Sequence, residues 1–136
     1  MARNLYIIWK DEYSVSHDEL DRHHQYLFTV INELYEAMGS SSPSAKITLL
    51  LKNALEYAQM HFEAEEKVMS LAQYPHLVEQ ENAHRTYARR VEELMSQSRV
   101  TPSVLSEDLL LFLKEWWLNH ILKMDKAYAP YLKKQS

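Results

Sequence analysis

Cysteine is absent from the 136-residue chain, which excludes disulfides, iron–sulfur clusters, thiolate zinc sites and covalently attached haem. That absence agrees with a reducing compartment. One glycine and four prolines leave little punctuation for the many turns of an all-β protein, so long helices are favoured. No Lys/Arg cluster forms a phosphate-binding stripe, and the formal net charge of -4 argues against nucleic-acid binding. The apolar N-terminal arm, Leu5 to Trp9, meets Lys10-Asp11-Glu12 at once. This is too short for a signal-peptide core or a membrane span, so a cytoplasmic protein with no membrane role is expected.

What is present is ordinary for a globular protein, with 46% hydrophobic and 25% charged residues. The length suits one domain over 1–136. Ser16 with Glu19 three residues later reads as a capping box, with Val15 and Leu20 placed as a hydrophobic staple. The first helix then carries Leu20, His24, Leu27, Ile31, Leu34 and Met38 on one face, and stops at Gly39 and Ser40-Ser41-Ser42-Pro43-Ser44.

A second helix starts near Pro43 and turns Ile47, Leu50, Leu51, Ala54, Ala58, His61, Glu65 and Val68 inward, until Tyr74-Pro75 breaks it. The third presents Leu77, Gln80, His84, Tyr87, Ala88, Val91 and Leu94. Arg99-Val100-Thr101-Pro102 forms the next break, with Thr101 as cap. The fourth shows Leu105, Leu109, Phe112, Leu113, Trp116 and His120 at helical spacing. The expected fold is all-α: an antiparallel up-down four-helix bundle with an N-terminal arm and a short C-terminal helical segment, Asp125 to Leu132.

Every seam is interrupted by residues that ordinarily avoid cores. They are His24 in the first helix, His61 and Glu65 in the second, Gln80 and His84 in the third, and His120 in the fourth. A polar group buried without partners costs roughly 2–7 kcal/mol, depending on the reference state. One such histidine is most simply a hydrogen-bonded core residue. Here the interruptions share a level. His61/Glu65 and Gln80/His84 are i, i+4 pairs on antiparallel helices, 13 residues before and 10 after Tyr74. His24 is early in its helix and His120 late, a level the up-down topology makes the same.

Imidazole suits iron, zinc, copper and nickel, and carboxylates are hard donors able to bridge ions. Four histidines with Glu65 and an aspartate are too many ligands for one tetrahedral zinc. Two ions with bridging carboxylates fit better. The paired Glu-x-x-His motifs of ferritin-like sites are not met: Glu81-x-x-His84 is one match, and Glu81 falls about 100° off the ligand face. Asp125 is the second carboxylate candidate. It follows His120 by five residues, which a regular helix would rotate away, so a π-type bulge or helix end between Ile121 and Met124 is expected.

The chain resembles the hemerythrin family, specifically its bacterial single-domain members. The resemblance rests on Trp9-Lys10-Asp11-Glu12-Tyr13-Ser14-Val15, Asp21-x-x-His24-x-x-Leu27, His61-Phe62-x-x-Glu65-Glu66 with Met69, Tyr74-Pro75, and His84 with Tyr87. Trp116-x-x-Asn119-His120-Ile121-x-x-x-Asp125 completes it. It implies two non-haem iron ions, oxo- or hydroxo-bridged. His24 and His61 would hold the ion that leaves a position open for O2, His84 and His120 the other, and Glu65 and Asp125 would bridge them. It further implies a non-enzymatic O2-binding protein for storage, delivery or sensing, taken here as a monomer with no protein partner indicated.

Two positions depart from the family. Gln80 stands where it has a histidine, so this neutral amide is expected to coordinate weakly, to hold a water, or to leave the second iron with an open position. His76, one turn away, is not expected to replace it. Trp117 stands where the family usually has leucine beside the O2 pocket, and the larger ring is expected to narrow access or rearrange the cavity. Reaction with peroxide or NO, or iron oxidation, is therefore the alternative function, and a helical interaction module with a vestigial site the third.

Other residues are expected to play smaller parts. His17, His23 and Glu66 read as surface residues, and Tyr6, Tyr26, Tyr35 and Tyr57 have no indicated link to the metals. Phe62, Trp116 and Met69 read as core around the site, and Trp9 as a cover over one end of the bundle.

Overall fold

The four apolar stripes become four helices: α1 (Asp18–Gly39), α2 (Ser44–Leu71), α3 (Leu77–Ser98) and α4 (Pro102–His120). The computed structural model describes residues 5–39, 44–98 and 102–133. The expected stop at Ser40-Ser41-Ser42-Pro43, the Arg99-Val100-Thr101 break with its cap, and the inward placing of Leu105 lie outside what is described. Helix α1 packs on α2 and α4, and α3 packs on α2 and α4, closing a ring of four. Short connections make sequential helices antiparallel.

A five-residue π turn, Ile121–Asp125, follows α4 where the chain needs the expected distortion, and leads into α5 (Lys126–Lys133), which lies against α2. The N-terminal arm is tied to α1 by two hydrogen bonds. Ile7 N–H donates to Asn32 Oδ1 at 3.0 Å, and Asn32 Nδ2 donates to the Ile7 carbonyl at 2.9 Å. Trp9 meets Tyr13 and Phe28 edge-on. Among the described residues there is no strand, and no helix is long and apolar enough to cross a membrane.

The start of α1 differs from the expected capping box. Ser16 takes a left-handed φ of 59°, and the cap is His17, whose Nδ1 accepts the Leu20 N–H at 3.2 Å. The cause lies one turn in. Asp21 accepts from the Val15 N–H at 2.8 Å and the Ser14 hydroxyl at 2.6 Å, which pins the entry loop and moves the helix start past Ser16.

Helix α2 ends without glycine. Gln73, at φ 57°, takes the left-handed position of a Schellman motif. Its N–H bonds the Ser70 carbonyl and the Tyr74 N–H bonds that of Met69, at 3.1 and 3.0 Å.

The core divides into two clusters. The larger holds Leu27, Ile31, Ala58, Phe62, Tyr87, Leu113, Trp117 and Ile121 among others. The smaller, under α5, holds Val15, Leu20, Met69, Ala72, Tyr74, Tyr128 and Leu132. The expected staple residues, Val15 and Leu20, are both in it. His24 falls between Leu20 of the smaller cluster and Leu27 of the larger, and Glu65 between Met69 and Phe62 in the same way. His61, by contrast, lies between Ala58 and Phe62 and His120 between Trp117 and Ile121, all four of the larger cluster. The inward tryptophan of α4 is Trp117, 1% exposed, whereas Trp116 is only partly buried. The expected stripe had placed Trp116 inward. Both rings lie near the seam, and the indole N–H decides: Trp117 Nε1 reaches the buried Tyr87 hydroxyl at 3.1 Å.

Candidate metal centre

Helical spacing alone brings His61 and Glu65 to one face, and the π turn brings Asp125 back beside His120. The structure gathers all seven candidates, His24, His61, Glu65, Gln80, His84, His120 and Asp125, and buries each of them. Glu65 faces two ways. Its Oε2 lies 3.3 Å from His61 Nε2 and 3.7 Å from His24 Nε2, while its Oε1 lies 3.0 Å from His84 Nε2. Asp125 repeats the arrangement, with Oδ2 3.3 Å from His24 Nε2 and Oδ1 3.1 Å from His120 Nε2.

Two groups of donor atoms result, His24/His61/Glu65 and Glu65/His84/His120, each with its atoms within 4.8 Å of one another. Glu65 belongs to both. The Nε2 atoms of all four histidines, Glu65 Oε1, Asp125 Oδ2 and Gln80 Oε1 are buried with no hydrogen-bond partner. Each neutral atom left so costs about 1–3 kcal/mol, and more where charged. A metal ion held by these groups would satisfy such lone pairs. The all-nitrogen and oxygen donor set suits iron or another first-row ion.

The charges follow from the same contacts. Burial would raise the Glu65 carboxyl, but His61, His24 and His84 hold it well below the usual carboxylate range. For Asp125, burial and Glu65 push upward, and His120 and His24 outweigh them. Burial opposes a proton on His24, yet the carboxylates of Asp125 and Glu65 raise it to about 9. His61 goes the other way, lowered by burial that Glu65 does not offset. A metal ion binding here must displace the proton His24 favours.

Around this layer the structure shows partners that sequence reasoning missed. Tyr128, 0% exposed, donates its hydroxyl to Glu65 Oε2 at 2.7 Å. Burial, Glu65 and Asp125 all raise its pKa, so it stays a donor. The only signal was its place one turn past Asp125. Glu66, expected to be solvated, is 2.7 Å from His84 Nδ1. His23, expected at the surface, is buried with its Nδ1 2.9 Å from His61 Nδ1. No spacing rule marks either, because both bond a ligand on a different helix or turn.

Gln80 turns its amide nitrogen to Asp125 Oδ1 at 3.0 Å. His76 is exposed and bonds Glu79 instead, so it does not approach the site. Phe62, a core residue, stacks on His84 at 3.9 Å, and Trp116, only partly buried where a core residue was expected, stacks on His120 at 4.3 Å. Of the tyrosines, Tyr57 meets His23 edge-on at 5.8 Å, while Tyr6 stacks on Tyr35.

A family model described as the hemerythrin HHE cation binding domain matches residues 15–132. The chain belongs to the hemerythrin family. It is similar to a bacteriohemerythrin of Stenotrophomonas maltophilia (strain R551-3), 28% identical over 93% of this chain and 82% of that one. It is also similar to a myohemerythrin of Riftia pachyptila, 27% identical over 92% of each. A wild-type hemerythrin crystal structure shares the fold, with TM-score 0.84 at 24% identity over 93% of this chain and 98% of that one. Within this hemerythrin-family bundle Trp117 lies beside the His24/His61 group, its ring 6.1 and 5.8 Å from theirs.

Proposed function

We propose that the chain, as one domain over 1–136, holds two iron ions and binds O2 for storage, delivery or sensing rather than turning over a substrate. The observation that carries this reading is the double-facing geometry of Glu65 and Asp125, each with one oxygen toward His24 and the other toward His84 or His120. His24 and His61 would hold one ion, His84 and His120 the other, with both acids bridging. When bound, two ferrous ions would supply the electrons on which reversible O2 binding draws.

The chain's own residues do the rest. Tyr128 holds Glu65 in place through its hydroxyl, and Glu66 orients His84. Trp117, Phe62 and the larger cluster exclude water on one side, and Tyr128 and Met69 on the other. Trp117 narrows the space next to His24 and His61. Gln80, with its amide nitrogen on Asp125, would leave the second ion one imidazole fewer than the family pattern. That bond favours a second reading, in which the more open ion reacts with peroxide or NO.

Anaerobic iron loading, metal analysis and air exposure test the proposal. About two irons per chain are expected, with an O2-dependent charge-transfer band that vanishes when O2 is removed. Irreversible oxidation with peroxide consumption would support the second reading instead. A folded protein that takes up no iron would leave only a helical interaction module.

A further inference from the structure

We infer that His23 is a positioning residue for the site: its Nδ1 accepts the Nδ1–H of His61 and so commits the His61 Nε2 lone pair to a metal ion. This rests on the metal-site reading above. Two ring nitrogens 2.9 Å apart form a hydrogen bond only if one carries the proton and the other a lone pair. His61 Nε2 faces Glu65 Oε2 at 3.3 Å and has no other partner, so a metal there requires the His61 proton on Nδ1. His23 Nδ1 must then accept.

The same logic carries outward. With its Nδ1 accepting, neutral His23 holds its own proton on Nε2, which points to Glu19 Oε1 at 3.8 Å. A carboxylate favours that proton at that end. The ring is fixed edge-on to His61 at 5.1 Å and to Tyr57 at 5.8 Å, so it does not rotate freely to offer the wrong nitrogen. Donation therefore runs one way, from His61 Nδ1 to His23 Nδ1, while the Glu19 carboxylate lies near His23 Nε2 but beyond hydrogen-bond distance. At His84 the equivalent partner is the anionic Glu66; at His61 it is a neutral imidazole, a weaker acceptor.

Full-length protein loaded with Zn(II) gives the test. Long-range proton–nitrogen NMR should show His61 protonated at Nδ1 and His23 at Nε2; the reverse tautomer of His23 overturns the inference. In chelator competition, His23→Leu should weaken Zn(II) retention about 10–100-fold. His23→Gln, whose amide oxygen can accept the same proton, should restore most of it, with circular dichroism checking the fold of both. If His23→Leu holds zinc as tightly as the unaltered protein, His23 is only packing and the metal site stands. If the unaltered protein binds no zinc and no iron, the site itself falls and this inference with it.

Discussion

Tyr128 Oη and Glu65 Oε2 are joined by a 2.7 Å hydrogen bond between two fully buried side chains. One comes from α5 and the other from α2, so the C-terminal segment is fastened directly to the acid shared by both donor groups. Tyr128→Phe removes the donor and keeps the ring. Bonds to charged groups contribute about 1.5–3 kcal/mol, and urea denaturation of the metal-free variant should show a loss of that size. A change within measurement error would mean the bond does not stabilise the fold.

Among the described residues, Glu65 is the one side chain common to both groups of candidate donors. Glu65→Gln should therefore abolish binding of both ions, because an amide offers one oxygen and cannot bridge with its nitrogen. His120→Ala should spare the His24/His61 side more. Metal analysis after desalting distinguishes the two patterns, and equal loss in both variants would count against separate ion positions.

Gln80→His supplies the imidazole that the family pattern has at that position. Slower oxidation in air or higher iron content is expected, read by loss of the ferrous state over time and by metal analysis. If neither changes, Gln80 has no part in tuning the site.

Trp117→Leu opens space beside His24 and His61. Azide and O2 should then reach the loaded site faster in stopped-flow measurements. The variant also strands the Tyr87 hydroxyl, so a stability loss is expected, smaller than the about 3–5 kcal/mol of truncating a buried aromatic to alanine. Unchanged entry rates would show that Trp117 does not control access.

Loaded protein should melt higher than metal-free protein, because only the folded chain brings the donors together. At a free metal concentration 100 times Kd the gain is about 2.7 kcal/mol. Thermal scans with and without chelator measure it.

Periodicity exposed the four helices, their inward stripes and the shared level of His24, His61, Glu65, Gln80, His84 and His120, whereas Asp125 entered only through the expected break in the helix after His120. Those residues are legible because a charged or imidazole side chain in an apolar seam has a single explanation when four seams agree. His23 was not legible. It sits about 100° around the helix from His24, at the edge of the seam, where only the neighbouring helix decides whether it is wet or buried. Glu66 is hidden by the same ambiguity. The choice between Trp116 and Trp117 turned on the Tyr87 hydroxyl, and the start of α1 turned on Asp21, both contacts that no local pattern encodes.

The widened turn at Ile121–Asp125 has a reach beyond the residue it re-aims. Asp125 closes it and Tyr128 follows within one turn, so the surplus residue sets the azimuth of Asp125 and also of the phenol bonded to Glu65. Both halves of the centre thus hang on a single backbone register. Removing one residue from that stretch would swing the two side chains away together, even where the residue removed is the exposed Leu122 or Lys123.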